Sequence, residues 1–137
     1  MKKLHFQQVK GKGPEITDAI IATDEVASCK NDFFALHLVC EELAVNIADY
    51  AYPDGKDGYL DVIIDKSPTE IAITFKDAGT PFNPLERQMP DVSLPLEQRG
   101  IGGLGIFLTV KKMDSVTYNY RNNENILTIK KKITNEK

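Results

Sequence analysis

Residues 32–53 read DFFALHLVCEELAVNIADYAYP, and this stretch decides the kind of fold that the chain can adopt. Its apolar side chains recur with helical spacing, and either Asn31 or Asp32 is a suitable N-cap in front of them. The turn residues of Pro53-Asp54-Gly55 end the pattern. The stretch therefore predicts one strong helix to about Tyr50, and a largely apolar helix must be buried against other structure.

The segments around this helix predict an α+β fold. Upstream we expect a short strand and a first helix with Thr17 or Asp18 near its start. Downstream we expect a hairpin, a long loop, a third helix and two final strands. The predicted bounds are Leu4–Val9, Ile16–Ser28, Tyr59–Asp65, Glu70–Lys76, Leu104–Met113, Val116–Tyr120 and Ile126–Ile133. Because hairpins dominate, we expect a two-layer α/β sandwich, with a mainly antiparallel sheet covered on one face by about three helices.

Size and composition limit the class of protein. The 137 residues are 42% hydrophobic and 27% charged, which is typical of one globular domain over residues 1–137. The net charge of −3 provides no basic surface for nucleic acid. No apolar run approaches the ~20 residues that cross a bilayer, and the basic N-terminus lacks the apolar core of a signal peptide. We therefore expect a cytoplasmic protein, with Cys29 and Cys40 as buried thiols.

A long segment without helical or strand periodicity separates the predicted hairpin from the third helix. Residues 77–103 contain four prolines and end in glycines. A loop of this length inside a compact domain is usually functional. We expect a lid or binding loop at about residues 78–102.

The predicted central helix carries one polar stripe, formed by Glu42, Asn46 and Asp49. Their spacing places them on one side of the helix, and no lysine or arginine occurs between Asp32 and Pro53. One interpretation is a solvent-exposed face. The other is the lining of a site, in which amide and carboxylate oxygens suit Mg²⁺, or the carboxylate acts as a general base on a hydroxyl or water.

A second candidate site is Asp77-Ala78-Gly79, which follows the apolar strand Ile71–Phe75. An Asp-x-Gly triplet is most often a simple turn. In the functional interpretation the Asp77 carboxylate accepts a hydrogen bond from a ligand's amino group, and Gly79 allows a ring or a backbone to approach closely.

Glycines lead into the third predicted helix in the segment Arg99-Gly100-Ile101-Gly102-Gly103-Leu104-Gly105. Backbone N–H groups at the positive end of a helix dipole suit a phosphate. Gly100, Gly102 and Gly105 also spell the dinucleotide fingerprint. The proline-containing segment before them is not a buried strand, so we exclude a Rossmann fold.

A run of three lysines, Lys130-Lys131-Lys132, closes the last predicted strand. It is a solvated strand end in one interpretation and a docking patch for an acidic protein in the other.

Three motifs occur in an order that resembles the ATP-binding domain of the GHKL (histidine-kinase-like) superfamily, which includes gyrase-type ATPases and histidine-kinase catalytic domains. They are Glu-x-x-x-Asn at 42–46, Asp-x-Gly-x-Pro-Phe at 77–82 and Gly-Gly-Leu-Gly-Ile at 102–106. Through residues 46–53, 80–84 and 106–114 the chain resembles in particular the bacterial anti-sigma-factor serine/threonine-protein kinases. The resemblance covers nearly the whole chain and implies the Bergerat-type ATP-binding fold.

The resemblance also implies roles for individual residues. Glu42 would be the general base that takes a proton from a serine or threonine hydroxyl of a partner, and Asn46 would bind Mg²⁺. Asp77 would hydrogen-bond the adenine amino group, and Gly79 would let the ring pack closely.

The remaining implied contacts concern the phosphates and the lid. Gly103, Leu104 and Gly105 would cradle the phosphates, and the proline-rich segment before them would be the ATP lid. The other nucleotide-binding residues that the resemblance implies are Asp49, Tyr50, Pro81, Phe82, Arg99 and Gly102.

These roles imply an ATP- and Mg²⁺-dependent serine/threonine-protein kinase that is also an anti-sigma factor. It would phosphorylate an anti-anti-sigma (STAS-type) partner and bind a sigma factor in transcription regulation, and a second copy of the chain is a further candidate partner. The alternative is a nucleotide-dependent partner-binding regulator without kinase activity, because Asp49 stands where histidine-kinase relatives often have lysine. A purely structural interaction domain is the third hypothesis.

Overall fold

The computed structural model describes residues 1–53, 55–81, 109 and 111–133, which form an α+β arrangement. The elements in chain order are β1 (Lys2–Phe6), α1 (Gly13–Ile21), α2 (Asp24–Ala27), α3 (Phe33–Tyr50), β2 (Leu60–Lys66), β3 (Glu70–Asp77), β4 (Ser115–Arg121) and β5 (Glu124–Lys132). A short 3-10 turn, Lys30–Asp32, leads into α3. This order confirms the predicted fold class, and α3 ends at the predicted residue.

The five strands form one sheet in the order β1-β2-β3-β5-β4, and every neighbouring pair is antiparallel. The predicted hairpin of β2 and β3 is confirmed. In its turn the Ser67 hydroxyl accepts hydrogen bonds from the backbone N–H groups of Thr69 and Glu70. These bonds keep the connection short, and β2 and β3 pair from Leu60 opposite Asp77 to Lys66 opposite Ile71.

The connection between β4 and β5 is tighter than the sequence predicts. Asn122 and Asn123 have φ angles of 56° and 63°, which is the left-handed geometry of a two-residue hairpin turn. Arg121 and Glu124 therefore pair directly, and both strands extend into the expected loop.

One face of the sheet forms the hydrophobic core together with the helices. Alternate residues of the three central strands point to this face, as the pleat of a strand requires. The buried residues from these strands are Leu60, Val62, Ile64, Ile71, Ile73, Phe75, Leu127 and Ile129. Helices α1, α2 and α3 supply the opposing layer of the same core, which confirms the two-layer arrangement.

The prediction of a single helix over Ile16–Ser28 is wrong, because the structure divides this segment between α1 and α2. The Thr23 hydroxyl donates to the Ile20 carbonyl at 2.7 Å and accepts from the Val26 N–H at 3.4 Å. This one side chain therefore ends α1 and caps α2.

The start of α1 is set by its packing on α3. α1 begins at Gly13, before the predicted start at Ile16, with proline in its first turn. A Cβ at Gly13 would lie 2.7 Å from Cγ2 and 2.9 Å from Cα of Val45, so only glycine allows the two helices to approach this closely. Thr17, expected near the start of the helix, lies within it and donates to the Gly13 carbonyl at 2.8 Å.

β1 ends earlier than predicted, at Phe6 instead of Val9. One carboxylate oxygen of Asp57 accepts hydrogen bonds from the backbone N–H groups of Val9 (3.0 Å) and Lys10 (3.1 Å). These amides are consequently bonded outside the strand ladder, and Val9 is buried in the core.

The run Lys130–Lys132 is divided between the two faces of the sheet. Lys131 points to the helix-covered face, where its Nζ donates to the Lys112 carbonyl at 3.3 Å and lies 3.9 Å from Oδ1 of Asp32. Lys130 and Lys132 alternate with it and are exposed. A docking role stays a prediction for these two lysines alone.

Some predictions fall outside the described residues. The predicted loop at 77–103 is described only as far as residue 81, and of the predicted helix Leu104–Met113 the residues Thr109, Lys111 and Lys112 are helical.

Cys29 and Cys40 are free and buried, and burial raises the pKa of Cys40 to about 12. Among the described helices, none has the length and apolar character needed to cross a membrane.

Candidate functional site

The predicted polar stripe lies on a side of α3 that the described residues leave partly open to solvent. Val45 faces α1, and Leu43 is buried in the core. Glu42 and Asn46 are partly exposed, and Asp49 is exposed one turn further on. Within the described part of the chain, no hydrogen bond or ion pair engages these three polar side chains. Their oxygen atoms are therefore available to a ligand.

The second predicted residue, Asp77, ends β3 with its side chain on the helix-covered face and is only 4% exposed. Its Oδ1 accepts hydrogen bonds from the Gly79 backbone N–H at 2.9 Å and from Nδ2 of Asn125 at 3.0 Å. All the hydrogen bonds that Asp77 makes to described residues go to Oδ1. Oδ2 remains as an acceptor for a donor group of a ligand.

Burial controls the protonation of Asp77. Desolvation raises the pKa of this carboxyl above its ordinary value, and the hydrogen bonds from Asn125 and Gly79 oppose the rise. The nearby Glu124 carboxylate raises the pKa further. A buried acid with a raised pKa at the end of a strand is typical of a functional site.

Asn125 is the residue at this site that the sequence analysis missed. It lies on β5 directly opposite Asp77 and is 7% exposed. Besides Asp77, its Nδ2 donates to the carbonyl oxygens of Thr80 (3.1 Å) and Gly79 (3.4 Å), while its Oδ1 accepts from the Tyr118 hydroxyl. The sequence predicts a loop at residues 121–125 and therefore gives Asn125 no strand partner. The strand register, which sets Asn125 opposite Asp77, is the signal that identifies the residue.

A close contact joins the Asp77 segment to the end of α3. The Thr80 N–H donates to the Ala51 carbonyl at 2.8 Å. A Cβ at Gly79 would lie 2.2 Å from the oxygen and 2.6 Å from the carbon of the same carbonyl. Glycine is therefore required at this position by the approach of α3, in addition to any role next to a ligand. The contact joins the segment between Asp77 and the exposed Pro81 to Ala51, the residue that follows Tyr50 at the end of α3.

Tyr52 reinforces this junction. Its hydroxyl donates to the Tyr59 carbonyl at 2.5 Å and accepts from the Ala78 N–H at 3.0 Å. Its ring lies against Gly58, where a Cβ would be 2.3 Å from the ring carbons. The buried phenol thus ties the segment after α3 to both ends of the β2–β3 hairpin.

The polar side chains of this site suit a Mg²⁺ ion that takes most of its ligands from phosphates and water. The described residues contain no group of three His, Cys, Asp or Glu side chains that could hold a metal ion. Mg²⁺ usually takes one or two oxygen ligands from the protein and the rest from phosphates and water. The unengaged Asn46 amide fits that pattern, and the free acceptor of Asp77 fits an amino group of the base.

The other predicted nucleotide-binding residues lie outside the described residues. They are Phe82, Arg99, Gly102, Gly103, Leu104 and Gly105. A shallow groove on the other face of the sheet, between Asp65, Glu70 and Lys130, contains none of the predicted site residues.

The chain is similar in sequence to known proteins. The curated proteins include the serine/threonine-protein kinase BtrW of Bordetella bronchiseptica, which is 25% identical over 96 residues, or 70% of this chain and 68% of that protein. The family described as the histidine kinase-like ATPase domain matches residues 15–131, a span that contains α3, Asp77 and Asn125. The chain therefore belongs to the histidine kinase-like ATPase domain family.

Proposed function

We propose that this protein is an ATP-dependent serine/threonine-protein kinase and anti-sigma factor. In this proposal it phosphorylates a hydroxyl of an anti-anti-sigma (STAS-type) partner and binds a sigma factor in the cytoplasm. Residues 1–137 form its single ATP-binding domain, with a lid at about residues 78–102. The observation that supports the proposal is the hydrogen bond from Thr80 to Ala51, because it joins the segment directly after Asp77 to the end of the helix that carries Asn46 and Glu42.

In this proposal Asp77 selects and orients the base of the nucleotide. Its free Oδ2 accepts a hydrogen bond from the exocyclic amino group of adenine, while Oδ1 is held by Gly79 and Asn125. Tyr50, 55% exposed at the end of α3, and Pro81 flank the same junction as further contacts. Asp49 and the predicted residues Phe82, Arg99 and Gly102–Gly105 supply the remaining contacts to the nucleotide.

Glu42 and Asn46 act at the phosphate end. Mg²⁺, when bound, offsets the charge of the phosphates, and the Asn46 amide oxygen supplies its ligand from the chain. Glu42 lies one helical turn before Asn46 and is partly exposed. Its carboxylate takes the proton from the partner's serine or threonine hydroxyl as that oxygen bonds to the γ-phosphorus of ATP. The bond from this phosphorus to the oxygen that bridges it to the β-phosphate breaks, and ADP leaves with that oxygen.

The experiment that tests the proposal is phosphate transfer from γ-labelled ATP to a partner isolated from the source cell with the wild-type chain as bait. Glu42→Gln should reduce transfer on the order of 10²–10⁴-fold and leave nucleotide affinity unchanged. Glu41→Gln is the matched control, because Glu41 is the next residue along and is exposed on a different side of α3. Unchanged transfer by the Glu42 variant would refute the assigned base.

A second candidate function is favoured by the acidic side chain of Asp49. An acid next to the phosphates cannot supply the positive charge that a lysine would, so the chain would bind a nucleotide and a partner without transferring phosphate. Tight binding of ATP, with no label on the isolated partner and no hydrolysis, distinguishes this function from the kinase.

A further inference from the structure

The described neighbours of Asn125 set the orientation of its amide. Three acceptor atoms surround Nδ2, namely Oδ1 of Asp77 and the carbonyl oxygens of Gly79 and Thr80. A carboxylate and two carbonyls cannot donate, so the NH₂ group must face them. The amide oxygen then faces Tyr118, whose hydroxyl donates to it.

This orientation determines what Asp77 can offer to a ligand. Its Oδ1 receives two donors, one from a backbone amide and one from the side chain of Asn125. Neither neighbour can accept a proton from the carboxyl group, so the arrangement favours the ionised carboxylate. An ionised carboxylate accepts hydrogen bonds and donates none.

We propose that Asn125 is a positioning residue that holds Asp77 as an acceptor-only group, so that the site selects a nucleotide whose base carries an exocyclic amino group over one that carries a carbonyl at the same place. Asn125 acts through Asp77. The inference rests on the proposed function, because it assumes that the base of the nucleotide binds at Asp77.

The groups that face Asp77 show why the amide matters. The strand partner on β2 is the apolar Leu60, and the strand partner on β5 is Asn125 itself. The charged neighbour is Glu124. The Tyr52 phenol is also near, because its hydroxyl accepts a hydrogen bond from the N–H of Ala78, the residue after Asp77. Burial and Glu124 both favour the neutral acid, and among these groups only the N–H donors of Asn125 and Gly79 favour the carboxylate.

Loss of the amide therefore has a specific chemical consequence. Without the Asn125 donor, the pKa of Asp77 rises further, and the neutral acid can donate its proton to a carbonyl on the base. The variant would lose discrimination between an amino group and a carbonyl as well as some affinity. A residue with a merely structural role would change the affinity for both ligands equally.

The test compares ADP with inosine diphosphate, whose base has a carbonyl where adenine has the amino group. Calorimetry gives both affinities from about pH 5 to about pH 8 for the full chain and for Asn125→Ala and Asn125→Asp. We expect the ratio of ADP to inosine diphosphate affinity to fall about tenfold or more in both variants, or ~1.4 kcal/mol. The acid-side loss of ADP affinity should also move to higher pH.

Two controls keep the outcome interpretable. Asn119→Ala removes an exposed asparagine from the neighbouring strand and should change neither quantity. Tyr118→Phe keeps the three acceptors of Asn125 but removes the donor to its oxygen, so it should shift both quantities in the same direction by less. This variant also tests the inference if the Asn125 variants do not fold.

The results separate this inference from the proposed function. A wild-type chain that binds neither nucleotide would refute the nucleotide site and the kinase with it. A wild-type chain that prefers ADP, with an unchanged ratio and pH profile in the folded Asn125 or Tyr118 variants, would overturn the role of Asn125 alone. An equal loss of both affinities would likewise reduce Asn125 to a structural residue.

Discussion

The backbone N–H of Thr80 donates a hydrogen bond to the carbonyl oxygen of Ala51 at 2.8 Å. The carbonyl belongs to the C-cap residue directly after α3, and the N–H belongs to the segment that follows β3. Helix ends leave carbonyl groups without intrahelical partners, so the bond satisfies one of them and joins two distant parts of the chain. The proposed site depends on this junction, because α3 carries Glu42 and Asn46 and the segment begins directly after Asp77.

Replacing Gly79 with alanine should break the junction. The new Cβ would lie 2.2 Å from the Ala51 oxygen, so the backbone must move, and we expect a loss of about 1–3 kcal/mol in the free energy of unfolding. ADP affinity, measured by calorimetry, should fall as well. Gly11→Ala is the control, because nothing lies within 4 Å of the Cβ position of Gly11, and alanine there meets backbone strain from the positive φ (73°) instead of a steric clash. It should cost about 1 kcal/mol, and ADP affinity equal to that of the Gly79 variant would contradict the prediction.

Tyr52→Phe should lower stability through two unpaired backbone groups. The Ala78 N–H and the Tyr59 carbonyl each lose the hydroxyl that they share. We expect a loss of about 1–3 kcal/mol in urea unfolding. Tyr120→Phe removes a hydroxyl from an exposed tyrosine and should leave the midpoint unchanged. Equal midpoints for the two variants would show that the Tyr52 hydroxyl does not support the fold.

Asp77→Asn should stabilise the protein and abolish binding of ADP. The pKa of Asp77 is raised above its ordinary value of 3.8 by burial, so the folded state holds the proton to higher pH than the unfolded state. The wild type is therefore destabilised progressively as pH rises from the unfolded pKa to the folded pKa. The variant keeps an acceptor at Oδ1 and does not ionise. Its free energy of unfolding should exceed that of the wild type above the folded pKa.

The difference between Asp77→Asn and the wild type is diagnostic in its pH dependence. It should shrink to nothing below the ordinary aspartate pKa of 3.8, where the carboxyl is neutral in both states. A difference that stays constant with pH would mean that packing, and not ionisation, separates the two proteins. Urea unfolding at several pH values measures it.

Asp57 should have the opposite pH dependence. Desolvation raises the pKa of the Asp57 carboxyl. Hydrogen bonds from the N–H groups of Val9, Gly58 and Lys10 outweigh this effect, so the pKa lies below the ordinary value of 3.8. Its contribution to stability is present above the unfolded pKa and is lost as pH falls through the folded pKa. Asp57→Ala should therefore reduce the free energy of unfolding at neutral pH and have little effect in strong acid.

A matched aspartate tests the assignment to Asp57. Asp65 is exposed near the end of β2, and Asp65→Ala should leave stability within about 0.5 kcal/mol at every pH. Equal losses of stability in the two alanine variants at neutral pH would show that the three hydrogen bonds to the Asp57 carboxylate do not stabilise the fold.

Local sequence patterns were enough for the elements that carry the site. The apolar helical spacing of residues 32–50 predicts α3 closely, because burial of a helix face leaves its period in the sequence. Alternation likewise predicts the β2–β3 hairpin and places Asp77 at the end of a strand. The same local reasoning failed at Thr23, where one side chain's hydrogen bonds end α1 against an unbroken apolar pattern.

Contacts between residues far apart in the chain decided the rest. Asn125 becomes part of the site only through the register that sets it opposite Asp77, and that register depends on the tight turn at Asn122 and Asn123. The need for glycine at position 79 comes from Ala51, and the role of Tyr52 comes from Ala78 and Tyr59. The chain's residue types and periodicities contain its helices, strands and candidate chemistry. Which polar groups face one another in the buried site follows from packing between distant segments, and local patterns do not encode that packing.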